Sequence, residues 1–157
     1  MKKKRQGITV NDATRHIAIF QGLEEGELTK IAGICRVIAY DAADVILRAG
    51  EYGDHFYMVL DGKLDILAGD DSALVGHVER GDFLGEISLV SAQPYTATAV
   101  AATDVKMVAL SHQDFEALIN RHPRIGMKVM RNIAISVGEK LRHLDNRYSE
   151  EIRGFAK

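Results

Sequence analysis

Glycine is what most constrains this chain. Glycines at 50, 53, 62, 69, 81 and 85 cut its middle into apolar segments too short to be helices. Residues 36–40 and 44–48 are rich in β-branched side chains around the turn-like Asp41-Ala42-Ala43, and residues 55–60, His-Phe-Tyr-Met-Val-Leu, are apolar on both faces and belong centrally. Residues 63–68 alternate polar and apolar as a strand with one wet face does, and the chain returns through 74–78. Asp61-Gly62 reads as a hairpin turn, Gly69-Asp70-Asp71-Ser72 as another, and residues 95–101 and 104–110 as a pair around Ala102-Thr103. Gly50 and Gly53 interrupt the strands where positive φ is needed. Many short strands with turn signals between them imply a mainly β fold with flanking helices: an antiparallel, jelly-roll-like β-roll.

The flanks follow a different period. Between His16 and Ala32 the apolar residues Ile17, Phe20, Leu23, Leu28 and Ile31 imply helical pieces broken near Gly22 and Gly26. After the strands, Ser111 with Asp114 three residues on opens a helix whose Phe115, Leu118 and Ile119 face the roll, and His122-Pro123 closes it. Pro123 then begins a long helix, where Met127, Met130, Ala134, Val137, Leu141, Leu144 and Tyr148 recur at steps of three or four. Lys128, Arg131, Glu139, Lys140 and Asp145 take its polar sides. The expected organisation is a tail at 1–15 with little order, a roll with flanking helices at 16–122, a helix at 123–150 and a tail at 151–157.

Composition excludes several function classes. With 46% hydrophobic and 27% charged residues over 157 positions, the chain is of ordinary globular make-up and the size of one domain. A net charge of −2 speaks against nucleic-acid binding, and the Lys2-Lys3-Lys4-Arg5 cluster reads as a solvated tail. The single cysteine, Cys35, allows no intramolecular disulfide and reads as a small core residue. No apolar run reaches the length of a membrane span and no signal-peptide core follows the basic start, so a cytoplasmic location is expected. Histidines 16, 55, 77, 112, 122 and 143 show no metal spacing, and no nucleophile elbow or P-loop occurs. Neither enzymatic activity nor a bound cofactor is expected.

The stretch that carries chemistry is 81–98, Gly-Asp-Phe-Leu-Gly-Glu-Ile-Ser-Leu-Val-Ser-Ala-Gln-Pro-Tyr-Thr-Ala-Thr. Gly85 opens a short helical run that stops before Pro94, and a glycine at a helix start, with N–H groups pointing forward, forms an anion site. Glu86, Ser88, Tyr95 and Thr96 would supply polar side chains around a phosphate there. This stretch resembles the phosphate-binding cassette of the cyclic-nucleotide-binding domain family: Leu84 to Leu89 matches its first half, and Pro94, Thr96, Ala97 and Thr98 its second. A second signature of the same family, Gly50-x-x-Gly53-Asp54-x-Phe56-Tyr57-x-Val59-Leu60-Asp61-Gly62, stands ahead of it in the right order.

The resemblance implies a ligand, cAMP or cGMP, whose ribose 2′-hydroxyl meets Glu86. The backbone N–H groups of Gly85, Ile87 and Ser88, and the hydroxyl and N–H of Thr96, would hold its phosphate, with Ala97 and Thr98 beneath the purine. Where the family pattern has an arginine on the phosphate, this chain has Tyr95. The resemblance further implies a homodimer through the later part of the long helix, ligand-biased movement of that helix, and signalling by contact with a protein effector. Residues after Tyr148 are too few for the helix-turn-helix domain of the family's transcription factors. Tyr95 leaves three readings open: a cyclic-nucleotide sensor, a module that kept the roll and serves protein interaction without the ligand, and a cassette adapted to another anion or nucleotide.

Overall fold

The structure is a computed structural model that describes residues 9–68 and 73–155. Two four-stranded antiparallel sheets make the roll. One has the order β1-β8-β3-β6, from Arg36–Tyr40, Val105–Ser111, His55–Asp61 and Phe83–Leu84; the other has β2-β7-β4-β5, from Val45–Leu47, Thr98–Ala101, Lys63–Leu67 and Leu74–Glu79.

Strand β3 shows why the sequence takes this form. Its alternate side chains Phe56, Met58 and Leu60 enter a core shared with the helices, while Tyr57 and Val59 enter a second core between the sheets. Strand β8 divides in the same way, Val108 and Leu110 to one side and Met107 and Ala109 to the other. A strand with a period of two and apolar residues on both faces is what a wall between two cores requires. The central position expected for 55–60 follows, since β3 pairs with β8 on one side and β6 on the other.

Two expected hairpins are corners instead. β3 and β4 flank Asp61-Gly62 but lie in different sheets, and so do β7 and β8 around Ala102-Thr103. Gly62, at φ +93°, carries the chain across between the sheets. Alternation assigns a side chain to a face, and it does not say which strand lies alongside. The β4–β5 pairing is as expected, with Leu64 opposite Val78, and its turn at 69–72 lies outside the described residues.

The helices close one side. Helix α1 (Val10–Arg15) begins within the segment expected to be a tail. It is held by a capping box in which the Thr9 hydroxyl accepts from the Asp12 N–H at 3.2 Å, and by buried Thr14. A 3-10 turn at Ala18–Phe20 and α2 (Glu25–Gly33) follow, with the break at Gly22 (φ +80°) as expected and Gly26 inside α2 rather than at a break. The basic cluster at 2–5 lies outside the described residues. Cys35 packs at the edge of the helical core, and burial pushes its thiol up to about 12.

Helix α3 (His112–Arg121) is capped by Ser111, whose hydroxyl accepts from the Asp114 N–H at 3.0 Å, and Phe115 is fully buried. Helix α4 runs from Pro123 to Phe155, past both Tyr148 and the boundary expected at 150, because Ser149 to Arg153 hold no glycine or proline and the first glycine after the expected end is Gly154. Ile125, Val129 and Ile133 bury its first half. Lys128 pairs with Glu27 of α2 at 2.5 Å, and the Asn132 amide donates to the carbonyls of Ile19 (3.0 Å) and Gln21 (2.8 Å).

Candidate ligand-binding site

The cassette starts on β6, where Phe83 and Leu84 pair with Met58 and Tyr57 of β3. Gly85 then turns left-handed, at φ 79° and ψ 23°, directly over β3: a Cβ there would lie 2.6 Å from the His55 carbonyl oxygen. Both conformation and space demand glycine. The turn sets off a 3-10 helix, Glu86–Leu89, in which the Ser88 N–H donates to the Gly85 carbonyl at 2.9 Å. The Ser88 N–H thus serves the turn, whereas the first-turn N–H groups of Glu86 and Ile87 have no acceptor within the helix. Leu89 is fully buried, and its carbonyl lies 2.7 Å from His112 Nδ1, which must carry the proton since a carbonyl only accepts. Helix α3 thus holds the far end of the cassette.

The second half is not the strand expected from residue 95. The strand begins only at Thr98, because residues 93–95 pair with the loop at 50–53 instead. The Gly53 N–H donates to the Gln93 carbonyl (3.2 Å), the Tyr95 N–H to Glu51 (2.9 Å), and the Gly50 N–H to Tyr95 (2.8 Å), while Tyr52 bridges Pro94. The two sequence signatures therefore meet in space. Gly50 does take a positive φ, +84°, but Gly53 does not. Gly53 is small for another reason: a Cβ there would overlap the Tyr95 ring.

Tyr95 folds back over Gly53 into the core between the sheets. Burial raises the pKa of its hydroxyl and the nearby Asp54 charge adds to this, while the His55 backbone N–H and the Ser88 side chain act the other way. Its neighbour Tyr57 is raised further, mainly by burial. The buried Thr98 hydroxyl accepts from the Ala49 N–H at 3.0 Å, and so serves the strand and its loop.

Gly85, Glu86, Ile87, Ser88, Tyr95, Thr96 and Ala97, the residues expected to form the site, line one cavity of about 440 Å³. Leu47, Ile66, Val78, Phe83 and Leu84 give it apolar walls. Such a space, apolar with a few convergent polar groups, suits a small organic ligand. Neither Arg80 nor Arg142 is among its lining residues.

One residue at the cavity was not expected there. Lys140 of α4 lines it, ion-paired with the Glu86 carboxylate, its ammonium 5.6 Å from the centre of the Phe83 ring. Glu86 is 6% exposed, and a carboxylate so buried needs a partner. The sequence places Lys140 only on a polar side of the long helix; the signal that singles it out is its position between the apolar Val137 and Leu141, at the point where the helix leaves the roll. Among the described residues, no group of three or more metal-ligating side chains converges, and no helix is long and apolar enough to cross a membrane.

The site is thus an antiparallel roll with a glycine-led turn on one cavity wall and Lys140 of the long helix beside it. The sequence profile of the cyclic nucleotide-binding domain matches residues 37–122, and the chain belongs to that family. It is 34% identical over 108 residues to a cAMP-dependent protein kinase regulatory subunit of Colletotrichum orbiculare, covering 69% of this chain and 28% of that protein. To a cyclic nucleotide-gated potassium channel of Rhizobium etli it is 33% identical over 109 residues, 69% of this chain and 30% of the channel. The chain therefore spans under a third of the length of these relatives. Among solved structures, it superposes on the N-terminal domain of a transcriptional regulator from Streptomyces coelicolor with a TM-score of 0.75 at 25% identity (85% of this chain, 95% of that one). It superposes on the catabolite activator protein of Thermus thermophilus at 0.73 and 27% identity (84% and 62%).

Proposed function

We propose that the chain is a non-catalytic sensor that binds a cyclic mononucleotide, cAMP or cGMP, in the cassette cavity. The observation that carries this reading is the convergence of Gly85 to Ser88, Tyr95 to Ala97 and the α4 residue Lys140 on one cavity. Glu86 would accept from the ribose 2′-hydroxyl, the Glu86 and Ile87 N–H groups and Thr96 would hold the phosphate, and Ala97 would lie beneath the purine. Ligand would bias the position of α4, as ligands shift pre-existing states. The exposed apolar row Leu141, Leu144, Tyr148, Ile152 and Phe155 suits pairing with the same helix of a second copy, and the output would pass in the cytoplasm to a protein effector.

A second reading rests on Tyr95. Its ring packs on Gly53 where an arginine would reach the phosphate, which suits a roll retained for protein interaction. Replacing a charge-assisted contact of about 1.5–3 kcal/mol by a neutral hydroxyl weakens binding by roughly ten- to a hundredfold. Calorimetric titration of the natural protein and of Tyr95→Arg with cAMP and cGMP separates the two. Micromolar binding by the natural protein supports the sensor; binding by the variant alone supports the interaction module.

A further inference from the structure

We infer that Lys140 is the phosphate-neutralising cation of this site, taking from α4 the role that the Tyr95 position gives up; the inference rests on the sensor reading above. The charges around the cavity carry it. Among the described residues that line it, Glu86 is the one carboxylate and Lys140 the one cation, so the cavity is neutral overall. A cyclic phosphate brings one further negative charge, and a buried charge without a cation is strongly disfavoured. Tyr95 does not supply that cation, and its hydroxyl is turned towards the His55 N–H and Ser88.

The two ends of the Glu86–Lys140 pair differ in freedom. The Glu86 side chain is 7% exposed and fixed in the first turn of the cassette, whereas that of Lys140 is 58% exposed on a flexible four-carbon stem. Ligand entry leaves the carboxylate where it is, free to accept from a ribose hydroxyl, and draws the flexible ammonium between carboxylate and phosphate, where it faces both charges. A lysine suits this better than an arginine, because it binds phosphate as a point charge and needs no bidentate geometry. Lys140 also stands immediately before Leu141, where the exposed apolar row of α4 begins, so the charge of the ligand is felt at the part of the helix that is free to pair.

The test is calorimetric titration of the full chain with cAMP, cGMP and uncharged adenosine, on the natural protein, Lys140→Met, Lys140→Arg, Tyr95→Arg and the double variant Tyr95→Arg/Lys140→Met. Methionine keeps an apolar stem against Phe83. Lys140→Met is expected to weaken cyclic-nucleotide binding by about ten- to a hundredfold, to leave adenosine unchanged, and to be rescued by Lys140→Arg. In the Tyr95→Arg background its effect should fall below about threefold, since the arginine then carries the phosphate. Equal weakening of nucleotide and adenosine would reduce Lys140 to a structural partner of Glu86, and tighter binding by Lys140→Met would make it only a competitor for that carboxylate. Either overturns the inference. Unchanged cyclic-nucleotide binding by Lys140→Met overturns the inference alone and leaves the sensor standing; no binding by the natural protein overturns the sensor reading and the inference with it.

Discussion

Helix α4 has one period and two fates. From Pro123 to Val137 one face is consumed by the roll, with Ile125, Val129 and Ile133 buried and Met130 and Val137 packed beside them, while Met127 and Ala134, expected on its apolar stripe, lie exposed because the face the roll takes is the one through Ile125, Val129 and Ile133. From Leu141 to Phe155 the same kind of stripe is left uncovered by the described residues, and Leu141, Leu144, Tyr148, Ile152 and Phe155 are each at least 50% exposed. The polar contacts divide in the same place, since Lys128 and Asn132 clasp the N-terminal helices while Lys140 reaches the cavity. A helix can thus be fastened along one length and available along the next. Periodicity reports that a face is apolar; whether that face is already covered depends on what the rest of the chain brings to it.

Four experiments probe the two halves of the helix. The largest effect is expected from Ile133→Ala, which deletes buried packing and should destabilise the protein by about 2–5 kcal/mol in urea unfolding; a cost under 1 kcal/mol would mean that the first half is not anchored. Next, Asn132→Ala strips the Ile19 and Gln21 carbonyls of their donor and should cost about 1–3 kcal/mol in the same measurement.

The third experiment uses pH. Glu27 lies below its ordinary value of 4.5, chiefly because its carboxylate accepts from the Glu24 N–H and then because of Lys128. A lowered carboxylate contributes stability that is complete above its unfolded pKa and is lost as pH falls through the folded one. Thermal unfolding between pH 6 and 3 should therefore show an acid loss that Lys128→Met reduces by roughly 0.5–1 kcal/mol without abolishing it. An unchanged acid limb would remove the Lys128 contribution. The smallest effect on the isolated chain is expected from Leu144→Ala: in dilute protein it should stay within about 0.5 kcal/mol of the natural stability. If the exposed row pairs with a second copy, the same variant should lower a stability that rises with protein concentration, measurable by unfolding at two concentrations and by sedimentation.

Local grammar was the legible part of this fold. The strands around β3 and β4, the Ser111 cap and the stop at His122-Pro123 all depend on neighbours in sequence, and those rules hold at short range. The assignment of strands to sheets was not legible, because Gly62 and Ala102-Thr103 read as hairpin turns whether the chain folds back or crosses to the other sheet. In the cavity, Gly85 declared itself through its place before a helical run. Lys140 did not, since its partner Glu86 stands 54 residues earlier and only the docking of α4 brings them together. Gly53 was legible as a glycine and misread as to cause, because the reason for it is the ring of a distant tyrosine.

That ring and that glycine make a size lock between positions 53 and 95. Bulk fits on one side of the contact or on the other, and not on both. In a library randomised at the two positions, folded members with alanine or larger at 53 should carry at 95 a small residue or one that swings outward, arginine included. Glycine at 53 thus admits either an inward tyrosine or an outward arginine at 95, whereas any larger residue at 53 closes the cavity core to the tyrosine.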